Sequence, residues 1–179
     1  MNGQQRRSWN NRSAKRLIRL IVWMLPLLMW TGLIFHLSSQ TYQQQTIIPW
    51  LMKRVDPLTL SMKLPDVEFQ YGDKLVHSKT KPYEFVEFIF RKAAHVFVYT
   101  ILSIVSVMAF RPLPIRAWWK VLLAIGLCLS LSIVDELIQS TTSSRTPQQE
   151  DILVDLSGVL VGLLLSIPLL SSRVHREGS

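Results

Sequence analysis

The sequence predicts an all-α integral membrane protein with four transmembrane helices and a long extracytoplasmic loop, and three observations carry that reading. Four apolar stretches of nearly equal length recur at 20–37, 93–110, 121–138 and 152–170, and at about 1.5 Å per residue each is long enough, as a helix, to cross a hydrocarbon core of about 30 Å. Basic residues are partitioned by loop and not spread evenly. The ionisable residues inside the stretches all lie toward one end of the bundle, which puts a polar cluster near one water interface. A chain of 179 residues that is 49% apolar, with net charge +8 and pI ≈ 10.0, is unusual for a soluble domain, and a membrane location reconciles those values. The whole chain, 1–179, reads as one membrane domain.

The first span, 20–37, follows a basic flank carrying Arg6, Arg7, Arg12, Lys15, Arg16 and Arg19. A basic flank before an apolar run also describes a secretory signal. This run is long for a signal core, however, and it ends Phe35, His36, Leu37, Ser38, Ser39, Gln40 without a small-x-small cleavage pattern, so an uncleaved anchor is expected. Pro26 is placed to kink the helix, and the amphipathic rings of Trp23 and Trp30 suit a membrane setting.

The connection 38–92 is too long for a simple hairpin link and is punctuated by Pro49, Pro57, Pro65 and Pro82. Val67, Phe69 and Tyr71 alternate with polar neighbours before Gly72 and Asp73, and Leu75 and Val76 follow, so a small β-hairpin is expected there. It serves either as a lid over the bundle or as a solvated loop. The aromatic run 83–90 ahead of Arg91 and Lys92 reads as helix lying at, or rising from, the interface. Pro112 and Pro114 end the second span, and a polar run, 140–150, joins the third to the fourth.

Orientation follows from charge. Of 20 Lys and Arg and 12 Asp and Glu, the N-terminal flank, the 111–120 loop and the tail hold eleven bases and one acid, leaving nine bases and eleven acids for the other two loops and their borders. The positive-inside rule then places both termini in the cytoplasm and loops 38–92 and 140–151 outside, in the cell membrane. The same distribution argues against a nucleic acid partner, because the bases are not interleaved with a soluble aromatic platform. The lone Cys128 falls within the third span, which excludes an internal disulfide and suits a small packing residue.

Arg91, His95 and Tyr99 stand at i, i+4 and i+8 on one face of the second span. Asp135 and Gln139 share a face of the third with Ser132, and Glu136 lies a quarter-turn away. Asp151 and Asp155 open the fourth span, and Gly158 and Gly162 continue their arc. Because a Gly-x-x-x-Gly stripe permits close helix approach, that face is expected to point into the bundle or toward a second copy of the chain. Alternating threading brings Arg91, Lys92, His95, Tyr99, Asp135, Glu136, Gln139, Arg145, Asp151 and Asp155 to one depth. A carboxylate at mid-span costs on the order of 3 kcal/mol to insert, so partners are required; Arg91 with Asp155, and Arg145 with Asp135 or Glu136, are the reasonable pairs.

Several blocks together resemble the VanZ family, named for a protein associated with resistance to the lipoglycopeptide teicoplanin. They are 34–40 at the end of the first span, 67–71 in the loop, 90–99 with Arg91, His95 and Tyr99, 135–139 with Asp135, Glu136 and Gln139, then Arg145 and 151–162. Ser157 stands where the family more often has Asn. The resemblance implies a cell-envelope membrane protein and implies no defined reaction.

The polar group supports a pocket for an anionic lipid, a lipid-linked envelope precursor or another amphiphile, with Arg91, Lys92 and Arg145 on phosphate or carboxylate and Tyr99 and Gln139 adding orienting bonds. The alternative is an enzyme in which His95 moves a proton and Asp135 or Glu136 orients it or acts as the second acid–base group. No His-Glu-x-x-His, Gly-x-Ser-x-Gly or glycine-rich phosphate loop is present. No cofactor is expected, and no compact motif calls for a metal, although His95, Asp135, Glu136 and Asp155 offer mixed nitrogen and oxygen donors. A proton path is disfavoured, since the cytoplasmic halves of the spans hold almost no ionisable group.

Overall fold

The computed structural model describes residues 3–72, 74–141 and 150–171. In chain order the elements are α1 (Gly3–Ser38), α2 (Tyr42–Gln45), α3 (Ile48–Met52), α4 (Pro57–Lys63), β1 (Glu68–Tyr71), β2 (Lys74–His77), α5 (Pro82–Phe110), α6 (Ala117–Thr141) and α7 (Glu150–Ser171). Among the described residues four helical segments are long and apolar enough to cross a membrane: Leu17–Ser38, Pro82–Phe110, Ala117–Thr141 and Glu150–Pro168. The chain is an all-α, multi-pass membrane protein. Its helices carry exposed rows of large apolar side chains, among them Leu28, Met29, Leu33, Phe97, Leu122, Leu137, Leu160 and Leu164, which lipid accommodates and water does not.

α5 is the centre of the bundle. It packs against α1 and α6 and most extensively against α7, and the core between them is Leu27, Ile34, Tyr99, Leu102, Ala109, Cys128 and Val159. The α5–α7 seam is close because Gly158 and Gly162 face it: a Cβ at Gly158 would run into the Val96 carbonyl, and one at Gly162 into Thr100 and Ser103. The stripe therefore serves packing within one chain, and it turns the Asp151 and Asp155 face of α7 inward as its spacing predicts. Cys128 is fully buried beside Ser106, and Trp30 donates from its indole nitrogen to the Val98 carbonyl at 3.0 Å, tying α1 to α5.

The 38–92 connection is more ordered than a solvated loop. α5 begins at Pro82, ahead of the apolar stretch, so the aromatic run is the first turns of a spanning helix. The expected hairpin is present, with Phe69 opposite Val76, Tyr71 opposite Lys74 and Gly72 at φ 57° in the turn. Three short helices that hydrophobic periodicity does not reveal precede it. Asp56 caps α4 by accepting from the Leu58 and Thr59 amides at 3.0 and 3.1 Å. Lys79 closes the other end, donating to the Ser61 and Leu64 carbonyls at 2.8 and 2.7 Å. Ser78, buried between strand and loop, donates to the Pro65 carbonyl and accepts from the Val67 amide. These links fasten α4, the hairpin and the start of α5 into one cap over the helix ends.

Candidate functional site

Because α5 keeps a four-residue step, Glu87, Arg91, His95 and Tyr99 form one line down the helix, from the cap toward the core. α1 ends beside this line at Ser38, α6 brings Ser132, Asp135 and Gln139, and α7 brings Asp151 and Asp155. Eight of the ten residues singled out from the sequence divide among three places.

The deepest is a floor of polar groups. His95 Nδ1 lies 2.9 Å from Asp155 Oδ1, and Ser132 donates to Asp155 Oδ2 at 2.6 Å. Asp135 accepts from Gln139 Nε2 at 3.0 Å and from the Ser38 hydroxyl. Both carboxylates are 3% exposed, so solvent screens neither. Tyr99, fully buried, lies one turn below His95 with a hydroxyl that makes no well-formed hydrogen bond among the described residues, beside Ser132.

The second place joins the cap to the bundle. Lys92 pairs with Asp151, and Tyr71 donates to Asp151 Oδ1 at 2.7 Å. The Lys92 ammonium lies 4.3 Å from the Tyr71 ring centroid and 5.2 Å from that of Phe88, and Phe88 meets Phe69 and Tyr71 edge-on. Burial, then the hydrogen bond to Asp151, pushes the Tyr71 hydroxyl well above its ordinary titration range. This is a latch: hairpin, α5 and α7 meet at one carboxylate.

The third place is a cavity of about 300 Å³ between α1, α2, α5 and α6. Ile34, Leu37, Phe90, Ala94 and Val98 give it apolar walls, and His95, Tyr99, Asp135 and Gln139 its polar floor. Arg91 lines it, and also lines a neighbouring cavity of about 230 Å³ under the hairpin. The guanidinium sits 5.7 Å from the Tyr42 ring centroid and makes no salt bridge among the described residues. Glu87, buried at the same level, accepts from Thr46 Oγ1 at 2.5 Å. Burial, then this carboxylate, raises the Tyr42 hydroxyl.

Several expected roles change. Arg91 does not pair with Asp155, which His95 and Ser132 occupy. The residue that orients His95 is Asp155, not Asp135 or Glu136. Lys92 and Asp151 are engaged with each other. Glu136 lines neither cavity and lies within electrostatic reach of Lys92. Arg145 lies outside the described residues. Ser157 bonds its own helix at the Val154 carbonyl on an exposed face, away from the floor. Sequence reasoning passed over Ser38, Glu87, Tyr42 and Thr46; extending the four-residue step back from Arg91 would have found Glu87.

A family model described as VanZ/LLP1 matches residues 23–171, most of the chain and every element of the site. No curated protein and no solved structure matches.

Proposed function

This chain belongs to the VanZ/LLP1 family, and from that premise we propose that it binds an anionic amphiphile at the outer leaflet of the cell membrane, with both termini in the cytoplasm. One observation carries the reading: Arg91 faces an apolar-walled cavity with no carboxylate in salt-bridge range among the described residues. A half-buried guanidinium with no carboxylate in salt-bridge range among the described residues favours a phosphate or carboxylate from outside, which its planar fork grips through two bonds. Ile34, Leu37, Phe90 and Val98 then shield the first methylenes of an acyl chain, and the tail leaves between exposed apolar faces into lipid. Lipid-linked envelope precursors and lipoglycopeptides both present this combination of anion and chain.

The test is lipid retention. Wild type, Arg91→Glu and Arg91→Lys are purified in nanodiscs of mixed neutral and anionic lipid, and bound lipid is measured by native mass spectrometry. Charge-assisted hydrogen bonds contribute about 1.5–3 kcal/mol each, so charge reversal weakens anionic-lipid binding by at least about tenfold, while Arg91→Lys keeps part of it. Equal anionic lipid on wild type and Arg91→Glu refutes the proposal.

The acid–base alternative has one contact in its favour, His95 on Asp155 at 2.9 Å, supported by Ser132. It requires a chemically altered lipid product that disappears in His95→Ala.

A further inference from the structure

We propose that His95, Asp135 and Asp155 form a binding site for one divalent transition-metal cation, of the zinc or manganese class. The inference goes beyond the amphiphile reading and does not depend on it.

Three observations converge. The first is geometric: each residue offers a ligand atom, and these atoms, from α5, α6 and α7, all lie within 4.8 Å of one another. Ligands about 2.1 Å from a shared ion in tetrahedral arrangement lie about 3.4 Å apart, so side-chain movements of at most about 1.5 Å complete the set. The second is charge. Two carboxylates are buried beside one imidazole, and neither has a Lys or Arg in salt-bridge range among the described residues. Protonated, His95 balances Asp155 and leaves Asp135 with only the neutral donors Ser38 and Gln139. A divalent ion beside a neutral imidazole balances both carboxylates at once.

The third observation is an orphan. The Tyr99 hydroxyl, in a residue 1% exposed, makes no well-formed hydrogen bond among the described residues, since its neighbour Ser132 donates to Asp155. It lines the same cavity as His95 and Asp135 and feels the charge of both Asp135 and Asp155. A buried unsatisfied hydroxyl is costly and uncommon, and a water on the cation gives it a donor. Ser132 on Asp155 and Gln139 on Asp135 already supply the hydrogen bonds that hold ligating carboxylates in place. The imidazole nitrogen selects the class, since magnesium and calcium prefer oxygen alone.

The experiment uses the full chain, purified without a histidine tag in detergent, stripped with chelator, dialysed against Zn²⁺ or Mn²⁺ and analysed by plasma mass spectrometry. About one ion per chain is expected, with no retention of Mg²⁺ or Ca²⁺ under the same dialysis. Binding is lost in an Asp135→Asn/Asp155→Asn variant and weakened at least tenfold in His95→Gln. A His36→Gln/His77→Gln variant retains it. Co²⁺ gives a second readout, a visible absorption present in wild type and absent in His95→Gln. Should the double carboxylate variant not fold, Tyr99→Phe, which keeps all three ligands, is expected to hold one ion with a several-fold weaker affinity. The proposal is overturned if wild type retains no more Zn²⁺ or Mn²⁺ than His95→Gln, or if Co²⁺ adds no absorption that His95→Gln removes. Because no lipid is added, this outcome is independent of Arg91→Glu.

Discussion

Alanine at four glycines should give opposite signs of effect, and the contrast tests whether the α7 stripe positions the polar floor. At Gly158 a built Cβ meets the Val96 carbonyl oxygen, with the carbonyl carbon and Cα each at 3.1 Å; at Gly162 it meets the Thr100 carbonyl and Ser103 Cβ at 2.8 Å. Carbon pairs settle at about 3.5–4.0 Å, and these obstacles are mostly backbone, so relief requires α7 to retreat by about 0.5–1 Å. Such overpacking costs about 1–3 kcal/mol, or roughly five- to 150-fold in the folded ratio. The same retreat strains the 3.1 Å bond from Thr100 to the Gly158 carbonyl and the His95–Asp155 contact one turn away. At Gly32 and Gly126 a Cβ meets nothing within 4 Å among the described residues, and alanine there gains up to about 1 kcal/mol of helix propensity. Unfolding in bicelles with rising dodecyl sulfate, followed by tryptophan fluorescence, ranks the four variants. Gly158→Ala within about 0.5 kcal/mol of Gly126→Ala would show that the seam yields freely and that the stripe does not set the spacing of the floor.

Two further outcomes follow from individual bonds. Ser38→Ala removes a donor to buried Asp135 and should lower stability by about 1–3 kcal/mol in the same assay, whereas Ser157→Ala, on an exposed face, should change it by less than about 0.5 kcal/mol; equal effects would mean that the α1 terminus does not support the floor. Tyr71→Phe should speed amide exchange across β1 and β2 by about five- to tenfold, since the lost bond to Asp151 contributes about 1–1.5 kcal/mol. The Tyr71 hydroxyl is raised in the folded state, so the latch is fully present below its ordinary value of 10.0 and is lost only as pH rises beyond it toward the folded value. Hairpin protection, corrected for intrinsic exchange, should therefore be level from about pH 6 to 9 and fall above about 10; a fall near neutrality would assign the latch to another group.

What the sequence discloses and what it hides separate along one physical line. Periodic features are legible because a helix converts spacing into direction: Arg91, His95 and Tyr99 share a face from arithmetic alone, and Asp151, Asp155, Gly158 and Gly162 do so on α7, both as found. The hairpin is legible because alternation and Gly72 are local. Pairing is not local. Arg91 and Lys92 are consecutive and alike in charge, yet α5 turns about 100° between them, so Lys92 meets Asp151 under the hairpin and Arg91 faces a cavity in which no carboxylate among the described residues comes within salt-bridge range of it. That outcome depends on the rotation of α5 against α7, which is fixed where Gly158 meets Val96, far along the chain from either cation. The short helices α2 to α4 are hidden for a related reason. Lys79 holds the end of α4, Tyr83 reaches back to the Val55 carbonyl at 2.6 Å, and each of these contacts spans a fold that must exist before the helix gains from it. Glu87 and Ser38 belong to the same class: their polar partners arrive from α2 and α6, and without those partners both read as the ends of apolar runs. The approach of Asp155 to His95 is thus the product of a glycine seam, and a substitution that opens the seam should disable the floor without touching any residue in it.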